Sequence, residues 1–322
     1  MNIDRRRALI LLLGLLPACA AAQSYPSQQP RMVVGYGPGG GADTLIRALA
    51  PELGEFLGQQ LVIDNRPGGG TVIATQLVAT SKPDGYTFYV ADNAYIVNPF
   101  LMSKLPYDSL KAFAPVIALS SDSQVLAFVH PSLPVNSLKE LIALAKARPG
   151  ELNYASGGNG TLPHIMGELL KHEARIKLAH IPYKSTAQAI FAVTSGEVTI
   201  GFGGIFAVKG LAESGKLRVL AIASGVRNPL MPQVPTFVEA GGPPLDGTGY
   251  RGLLAPAGTP REIVLRMNAE ANKALKMPAV RARFAELALT RLGGTPEDFA
   301  RIIAAEMDKW GRIIRDTGIK VE

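Results

Sequence analysis

The stretch RMVVGYGPGGGADTLIRAL, residues 31–49, places an apolar β-branched run, a glycine-rich turn and a helical pattern in direct succession. A strand that turns tightly into a helix is the first half of a β-α-β unit. Such units build parallel sheets with helices packed on their faces. The stretch therefore predicts an α/β fold, provided that the unit repeats along the chain.

The unit does repeat, in two series. The first series predicts strands at 31–35, 61–64 and 86–91 and helices at 43–57 and 72–81. The second series predicts strands at 152–155, 177–181, 198–202 and 217–223 and helices at 161–172, 186–195 and 206–213. Three more helices are predicted at 261–276, 279–289 and 296–316.

Two segments are predicted to cross between the series: the paired apolar runs at 114–129 and the strand at 250–255. With two crossings, one lobe comprises residues 31–124 plus 250–322, and the other comprises residues 125–249. A length of 322 residues agrees with two domains. A chain of this kind binds its ligand in the cleft between the lobes.

The N-terminus predicts export. Three arginines at 5–7 precede an apolar run that ends in small residues, which is the pattern of a signal peptide over residues 1–22. Cleavage after Ala22 and lipidation of Cys19 in a lipobox-like segment both remain open, as do general and twin-arginine export. We expect a periplasmic protein, and because Cys19 is the only cysteine the mature chain forms no internal disulfide.

Composition and motifs exclude several functions. Aromatic residues are 7% of the chain and scattered, so no nucleic-acid surface is predicted, whereas a formal charge of +7 suits small anionic ligands. His164 and His172 share a predicted helix face but stand ~12 Å apart along its axis, too far to bind one zinc ion. We find no catalytic motif, and we expect neither an enzyme nor a metal or cofactor.

Two glycine-rich turns are the strongest candidates for ligand binding. Each follows a predicted strand and opens a helix, so backbone N–H groups and the helix dipole are available to an anion. In a parallel sheet both turns emerge at the carboxyl edge, where they are expected to share one carboxylate. The candidate residues are Tyr36, Gly39, Gly40, Gly41, Ala42, Asp43, Gly68, Gly69, Gly70 and Thr71.

The second lobe is expected to supply donors from the opposite side of the cleft. The turn at 154–161 has the same strand-turn-helix form, and its hydroxyls serve equally well as helix or turn caps. Further candidates, with one from the first lobe after strand 86–91, are Asn93, Ser156, Asn159, Thr161, His164, Tyr183, Phe202 and Gly203.

One alternative belongs to a different class. Gly35, Gly37 and Gly40 match the dinucleotide fingerprint G-x-G-x-x-G, and Asp64 falls near the ribose-binding position. The second glycine loop has no role in that scheme, and an exported protein meets little nicotinamide cofactor. An exported NAD(P)-dependent oxidoreductase therefore remains the alternative function.

The candidate residues also predict a ligand class. The glycine loops hold no lysine, and Arg66 is the nearby cation, so uncharged N–H groups would hold one carboxylate. Asp43 would repel a second anion or accept a hydrogen bond from a hydroxyl or amine. Aromatic side chains expected along the cleft are Tyr36, Tyr95, Phe202 and Tyr250. We predict a small monocarboxylate or dicarboxylate, with or without an aromatic ring, and no phosphate ester.

Taken together, these motifs resemble the Bug or TctC-type periplasmic solute-binding receptors of tripartite tricarboxylate transporters. The similar segments are 38–43, 65–68, 83–86, 98–99, 105–108, 154–156, 180–184, 215–218, 234–236, 254–260 and 293–296. The resemblance implies a type II, Venus-flytrap architecture, a small organic acid as ligand and membrane transporter subunits as partners, and we expect a monomer. Thr71 and Tyr250 depart from the family pattern, which leaves the ligand open.

Overall fold

The computed structural model describes residues 25–123 and 125–318. The predicted signal peptide at 1–22, with its processing sites at Cys19 and Ala22, lies outside the described residues. Among the helices that are described, none is both long and apolar enough to cross a membrane.

The first series of elements alternates strands and helices up to residue 123. It comprises β1 (Arg31–Val34), α1 (Gly41–Leu57), β2 (Val62–Asn65), α2 (Val72–Ala79), β3 (Thr87–Ala91), α3 (Asn93–Leu101) and β4 (Phe113–Ser123). A single 3-10 turn at Gly69–Thr71 leads into α2.

The second series follows the same pattern. It comprises β5 (Val125–Val129), α4 (Leu138–Ala147), β6 (Asn153–Ser156), α5 (Leu162–Ala174), β7 (Ala179–Pro182), α6 (Thr186–Thr194), β8 (Ile200–Gly204), α7 (Ile205–Glu213) and β9 (Arg218–Ile222). The chain then returns through β10 (Thr248–Pro256), α8 (Arg261–Ala274), α9 (Pro278–Glu286), β11 (Thr290–Gly293) and α10 (Pro296–Thr317).

These strands form two sheets. The six-stranded sheet has the order β11-β4-β10-β3-β1-β2, and the five-stranded sheet has the order β7-β6-β8-β5-β9. Strand β1 pairs in parallel with both β2 and β3, so the turns that follow these three strands leave the sheet at one edge. The chain passes between the sheets twice, from β4 to β5 and from β9 to β10. We call the six-stranded sheet with its helices the first lobe, and the five-stranded sheet with its helices the second.

The α/β fold with two lobes is therefore confirmed. The limits at 31–124 plus 250–322 and 125–249 stay a prediction, because strand order does not assign the connecting loops to a lobe. Sequence patterns did not predict α3, α4 or β11. Pro99 lies inside α3 and argues against a helix there, and β11 is only four residues long.

The final helix closes the first lobe. Thr295 caps α10 in a reciprocal capping box with Asp298. The indole Nε1 of the fully buried Trp310 donates to a carboxylate oxygen of Glu306 at 2.9 Å. Trp310 thus belongs to the core, and α10 packs against α3 and β4, which holds α3 where its first residues reach the cleft.

Candidate ligand site

Two cavities lie between the lobes. The first has a volume of about 130 Å³, and the second, which is more open to solvent, has a volume of about 870 Å³. Tyr36 borders both. The first glycine loop faces the first cavity, whereas the second glycine loop faces the second cavity. Because Gly35 and Tyr36 of the first loop also line the second cavity, a carboxylate shared by the two loops stays a prediction.

Five helices begin at the first cavity. Its lining includes the first residue of each of α1, α3, α5, α6 and α7, namely Gly41, Asn93, Leu162, Thr186 and Ile205. Each helix start carries backbone N–H groups without an intrahelical acceptor and a partial positive charge. Two of these helices belong to the first lobe and three to the second, so an anion in this cavity contacts positive helix ends from both sides.

Two of the five helix starts have no side-chain cap. The N-cap residues of α1 and α7 are Gly40 and Gly204, and neither offers a side chain that bonds the first turn. Asp92, Thr161 and Ser185 do cap α3, α5 and α6 through side-chain oxygens. The first turns of α1 and α7, which line the first cavity from different lobes, are thus the ones best prepared for a ligand anion.

A cation lies at the start of α1. A Cβ built on Gly41 would lie 3.0 Å from Nη2 of Arg251, which places the guanidinium over the first turn of that helix. Arg251 and Asp92 both line the first cavity. Burial, followed by the nearby Asp92 carboxylate, raises the pKa of the Tyr36 hydroxyl well above its ordinary value. Tyr36 therefore enters the cavity as a neutral group.

Much of the remaining lining of the first cavity is apolar. Side chains of both lobes contribute to it, among them Val125, Pro163, Phe206, Tyr250, Leu287 and Leu289. A cavity with several N–H donors and one cation on apolar walls suits a small amphipathic anion.

The second glycine loop lies in close contact with the second lobe. Gly68, Gly69, Gly70 and Thr71 all have positive φ angles, and a Cβ on Gly70 would lie 2.6 Å from the carbonyl oxygen of Asn159 in the second lobe. Thr71 is 1% exposed and packs against Gly35, so its bulk does not enter the first cavity. In the first loop, the N–H of Gly37 donates to the carbonyl of Lys184 at 3.4 Å.

The candidate residues from the sequence divide into three groups. The first cavity is lined by Tyr36, Gly39, Gly40, Gly41, Ala42, Asn93 and Thr161. The second is lined by Tyr36, Gly68, Gly69, Gly70, Thr71, Asn159 and Tyr183. Neither is lined by Asp43, Ser156, His164, Phe202 or Gly203.

Asp43 supports the first loop from behind and does not face the ligand. Its carboxylate accepts hydrogen bonds from the Gly39 N–H, the Arg47 Nε and the Asn65 amide, each at 2.9 Å, and the residue is 2% exposed. Burial alone would raise the pKa of Asp43, but these hydrogen bonds outweigh it and lower the pKa. The expected repulsion of a second ligand anion by Asp43 is therefore not supported.

Ser156 and His164 form a buried cluster with His180. The Ser156 hydroxyl lies 2.7 Å from His180 Nε2, and the two histidine rings are 4.3 Å apart. Burial lowers the pKa of His164 to about 4 and that of His180 to about 3. Both histidines are thus neutral at physiological pH, and the cluster fixes the turn at 157–161, since His164 Nδ1 accepts the Gly160 N–H.

Only some of the aromatic and cationic residues expected along the cleft line a cavity. Tyr36 and Tyr250 line the first cavity, whereas Phe202 packs edge-on against Tyr154 in the core and the Tyr95 hydroxyl bonds the Ser109 carbonyl. Arg66 is exposed and pairs with Asp64, away from both cavities.

Sequence reasoning missed Arg251 and Asp92. Neighbouring strand residues normally point to opposite faces, yet Tyr250 and Arg251 both line the first cavity. Strand β10 pairs with β4 along its length, a long-range contact that sequence patterns do not show. The signal for Asp92 was its position directly after the strand at 87–91.

No group of three or more histidine, cysteine, aspartate or glutamate side chains suited to a metal occurs in the described part of the chain. The dinucleotide alternative gains no support, because the loop at 35–40 contacts the second lobe through Gly37.

Comparisons with known proteins agree with the fold. The model of the tripartite tricarboxylate transporter family receptor matches residues 45–319. Protein BugT of Bordetella pertussis is 34% identical over 330 aligned positions that cover 100% of both chains. The structure of R. palustris Rpa4515 with adipate has a TM-score of 0.87 and 33% identity, covering 92% of this chain and 99% of that one.

MatC from Rhodopseudomonas palustris, solved with bound malate, has a TM-score of 0.84 and 30% identity and covers 90% of this chain and 100% of its own. The resemblance seen in the sequence motifs is thereby confirmed over nearly the whole described chain. This chain belongs to the tripartite tricarboxylate transporter receptor family, the Bug or TctC-type solute-binding receptors.

Proposed function

We propose that the protein is a periplasmic receptor that captures a small organic carboxylate in the first cavity and presents it to the membrane subunits of a tripartite tricarboxylate-type transporter. The observation that carries this proposal is the convergence of five helix N-termini, from both lobes, on one cavity with largely apolar walls. Two relatives of similar fold were solved with adipate and malate, which are both carboxylates.

The charge of the site favours a carboxylate. Each helix start contributes about 0.3–1 kcal/mol to binding of an anion in exposed settings and up to ~2 kcal/mol when partly buried. Arg251 adds a full charge at the start of α1. A cavity of about 130 Å³ is close to the ~150 Å³ that holds benzene in an engineered apolar site, so the ligand is small. A sugar phosphate exceeds this space.

Closure of the two lobes is the proposed mechanism of capture. A ligand that contacts α1 from one lobe and α7 from the other binds the closed form better than the open form, and it shifts the population accordingly. The closed form is the one that the transporter recognises. No chemical step on the ligand is involved, and the receptor acts as a monomer after removal of residues 1–22 or lipidation at Cys19.

Isothermal titration against short monocarboxylates, dicarboxylates, aromatic acids, sugar phosphates and NAD tests the proposal. We expect binding within the carboxylate groups alone, accompanied by a smaller radius of gyration in solution scattering. Tight binding of NAD or of phosphate esters, with no binding of a carboxylate, would contradict it.

A further inference from the structure

The side chain of Asn93 is the most unusual polar group in the first cavity. It is 3% exposed, and neither its amide oxygen nor its amide nitrogen has a hydrogen-bond partner within the described chain. Buried polar groups are almost always satisfied, because leaving one without a partner costs free energy. An unsatisfied amide that lines a cavity therefore indicates a partner that the cavity receives.

The position of Asn93 relative to the carboxylate end follows from the sheet. Strands β1 and β3 are parallel neighbours, so the start of α1 and the start of α3 lie side by side at one edge. The start of α1, with Arg251 above it, offers a positive end to a carboxylate. Asn93 at the start of α3 is then available to a second group of the same ligand.

The chemistry of Asn93 restricts that second group. Its Nδ2 donates and its Oδ1 accepts, so both atoms are satisfied by a neutral group that itself accepts and donates, a hydroxyl or a carboxamide. A second carboxylate only accepts, and it would lie next to Asp92, which lines the same wall. A simple apolar acid would leave both amide atoms without a partner.

Resting on the proposed function, we propose that the ligand is a small monocarboxylate that also carries a neutral hydroxyl or carboxamide, and that Asn93 selects for this group. The cavity volume of about 130 Å³ limits such a ligand to a short aliphatic or single-ring body. Asn93 is a specificity-determining residue in this scheme, whereas Arg251 and α1 supply affinity for the carboxylate.

Matched pairs of acids that differ in one group test this inference. The probes are lactate with propionate, 3-hydroxybutyrate with butyrate, mandelate with phenylacetate, and succinamate with butyrate, each titrated into the wild-type protein and into Asn93→Leu. In the wild type we expect the hydroxylated or amidated member of at least one pair to bind about tenfold or more tightly. In Asn93→Leu the ratio falls to about one.

Thermal melting without ligand provides an independent readout. Because Asn93→Leu replaces an unsatisfied amide by an apolar side chain of similar size, the variant is expected to melt no lower than the wild type. Asn93→Ala, which also removes the amide, serves in the titrations if the leucine variant does not fold.

Three results would overturn the inference. The first is equal affinity for both members of every pair in the wild type, and the second is a preference that persists in Asn93→Leu and Asn93→Ala. The third is tighter binding of alanine than of lactate, which would assign this wall to Asp92 and an amine. If no acid of any pair binds, this inference fails as well, and the proposed function fails with it only if none of the other carboxylates in the titrations binds either.

Discussion

Gly204 allows the first cavity to be filled without disturbing the protein around it. It is the N-cap of α7, with φ −73° and ψ 151°, a conformation that valine adopts readily. A Cβ added there meets no atom within 4 Å, although the residue lines the first cavity. The substitution Gly204→Val therefore places its three added carbons in space that the ligand would otherwise occupy.

The expected effect is large relative to the cavity. If each added carbon takes roughly the ~30 Å³ of a water molecule, valine occupies roughly 90 Å³ beside a cavity of about 130 Å³. If two or three carbons of the ligand are no longer buried, the binding free energy weakens by about 2 kcal/mol, at ~0.8 kcal/mol for each buried CH₂. This corresponds to a rise of about 30-fold in Kd.

The assay is isothermal titration with the tightest acid found in the screen, using Gly225→Val as the matched control. Gly225 also has no neighbour within 4 Å of an added Cβ, but it lines neither cavity. We expect Tm changes of a few degrees at most in either variant and a raised Kd in Gly204→Val alone. Unchanged affinity in Gly204→Val would refute the placement of the ligand in the first cavity.

Three further predictions concern affinity, pH and packing. Arg251→Lys keeps the charge but loses the two-pronged donor geometry, so we expect the Kd of the carboxylate ligand to rise about tenfold in calorimetry; an unchanged Kd would exclude a direct contact. Burial lowers the pKa of His164 to about 4 and that of His180 to about 3, against about 6.5 in the unfolded chain. The contribution of these neutral histidines to the free energy of unfolding is therefore fully present above pH ~6.5, and below that pH it falls by roughly 1.4 kcal/mol per pH unit for each histidine. Denaturant titrations from pH 8 to pH 4.5 should show this loss, and His180→Gln should reduce it; a flat profile in the wild type would contradict the assignment. Gly252→Ala brings a Cβ within 2.4 Å of the Ile117 carbonyl oxygen, so we expect chemical denaturation to show a free energy of unfolding about 1–3 kcal/mol lower than that of the wild type. An unchanged free energy of unfolding would show that β10 can shift to accommodate the methyl group.

The fold was largely predictable because it depends on local patterns. The strand and helix around the loop at 35–41 appear as predicted, and so does the paired crossing near residue 124. What sequence patterns did not show are features set by contacts between distant segments. Strand β10, which carries Arg251 to the cavity, pairs with the distant strand β4, and the second glycine loop lies in close contact with Asn159 of the second lobe.

Polar and charged residues show the same division. Asp43 was expected to face the ligand, because its place in the first turn of α1 gives no hint of the hydrogen bonds from Arg47 and Asn65 that saturate it. Asn93 was identified as a candidate, but only the three-dimensional arrangement shows that its amide lacks a partner. The sequence thus predicts which segments border the cleft, whereas contacts between distant residues determine which side chains line the cavities.

A crystal structure of the protein with its tightest-binding acid would show directly which cavity holds the ligand. We expect the ligand in the first cavity, with its carboxylate within hydrogen-bond distance of the N–H groups at the start of α1 and beside Arg251, and with α7 of the second lobe contacting the same molecule. A ligand bound in the second cavity, against Gly68, Gly69 and Gly70, would contradict this account of how the receptor captures its substrate.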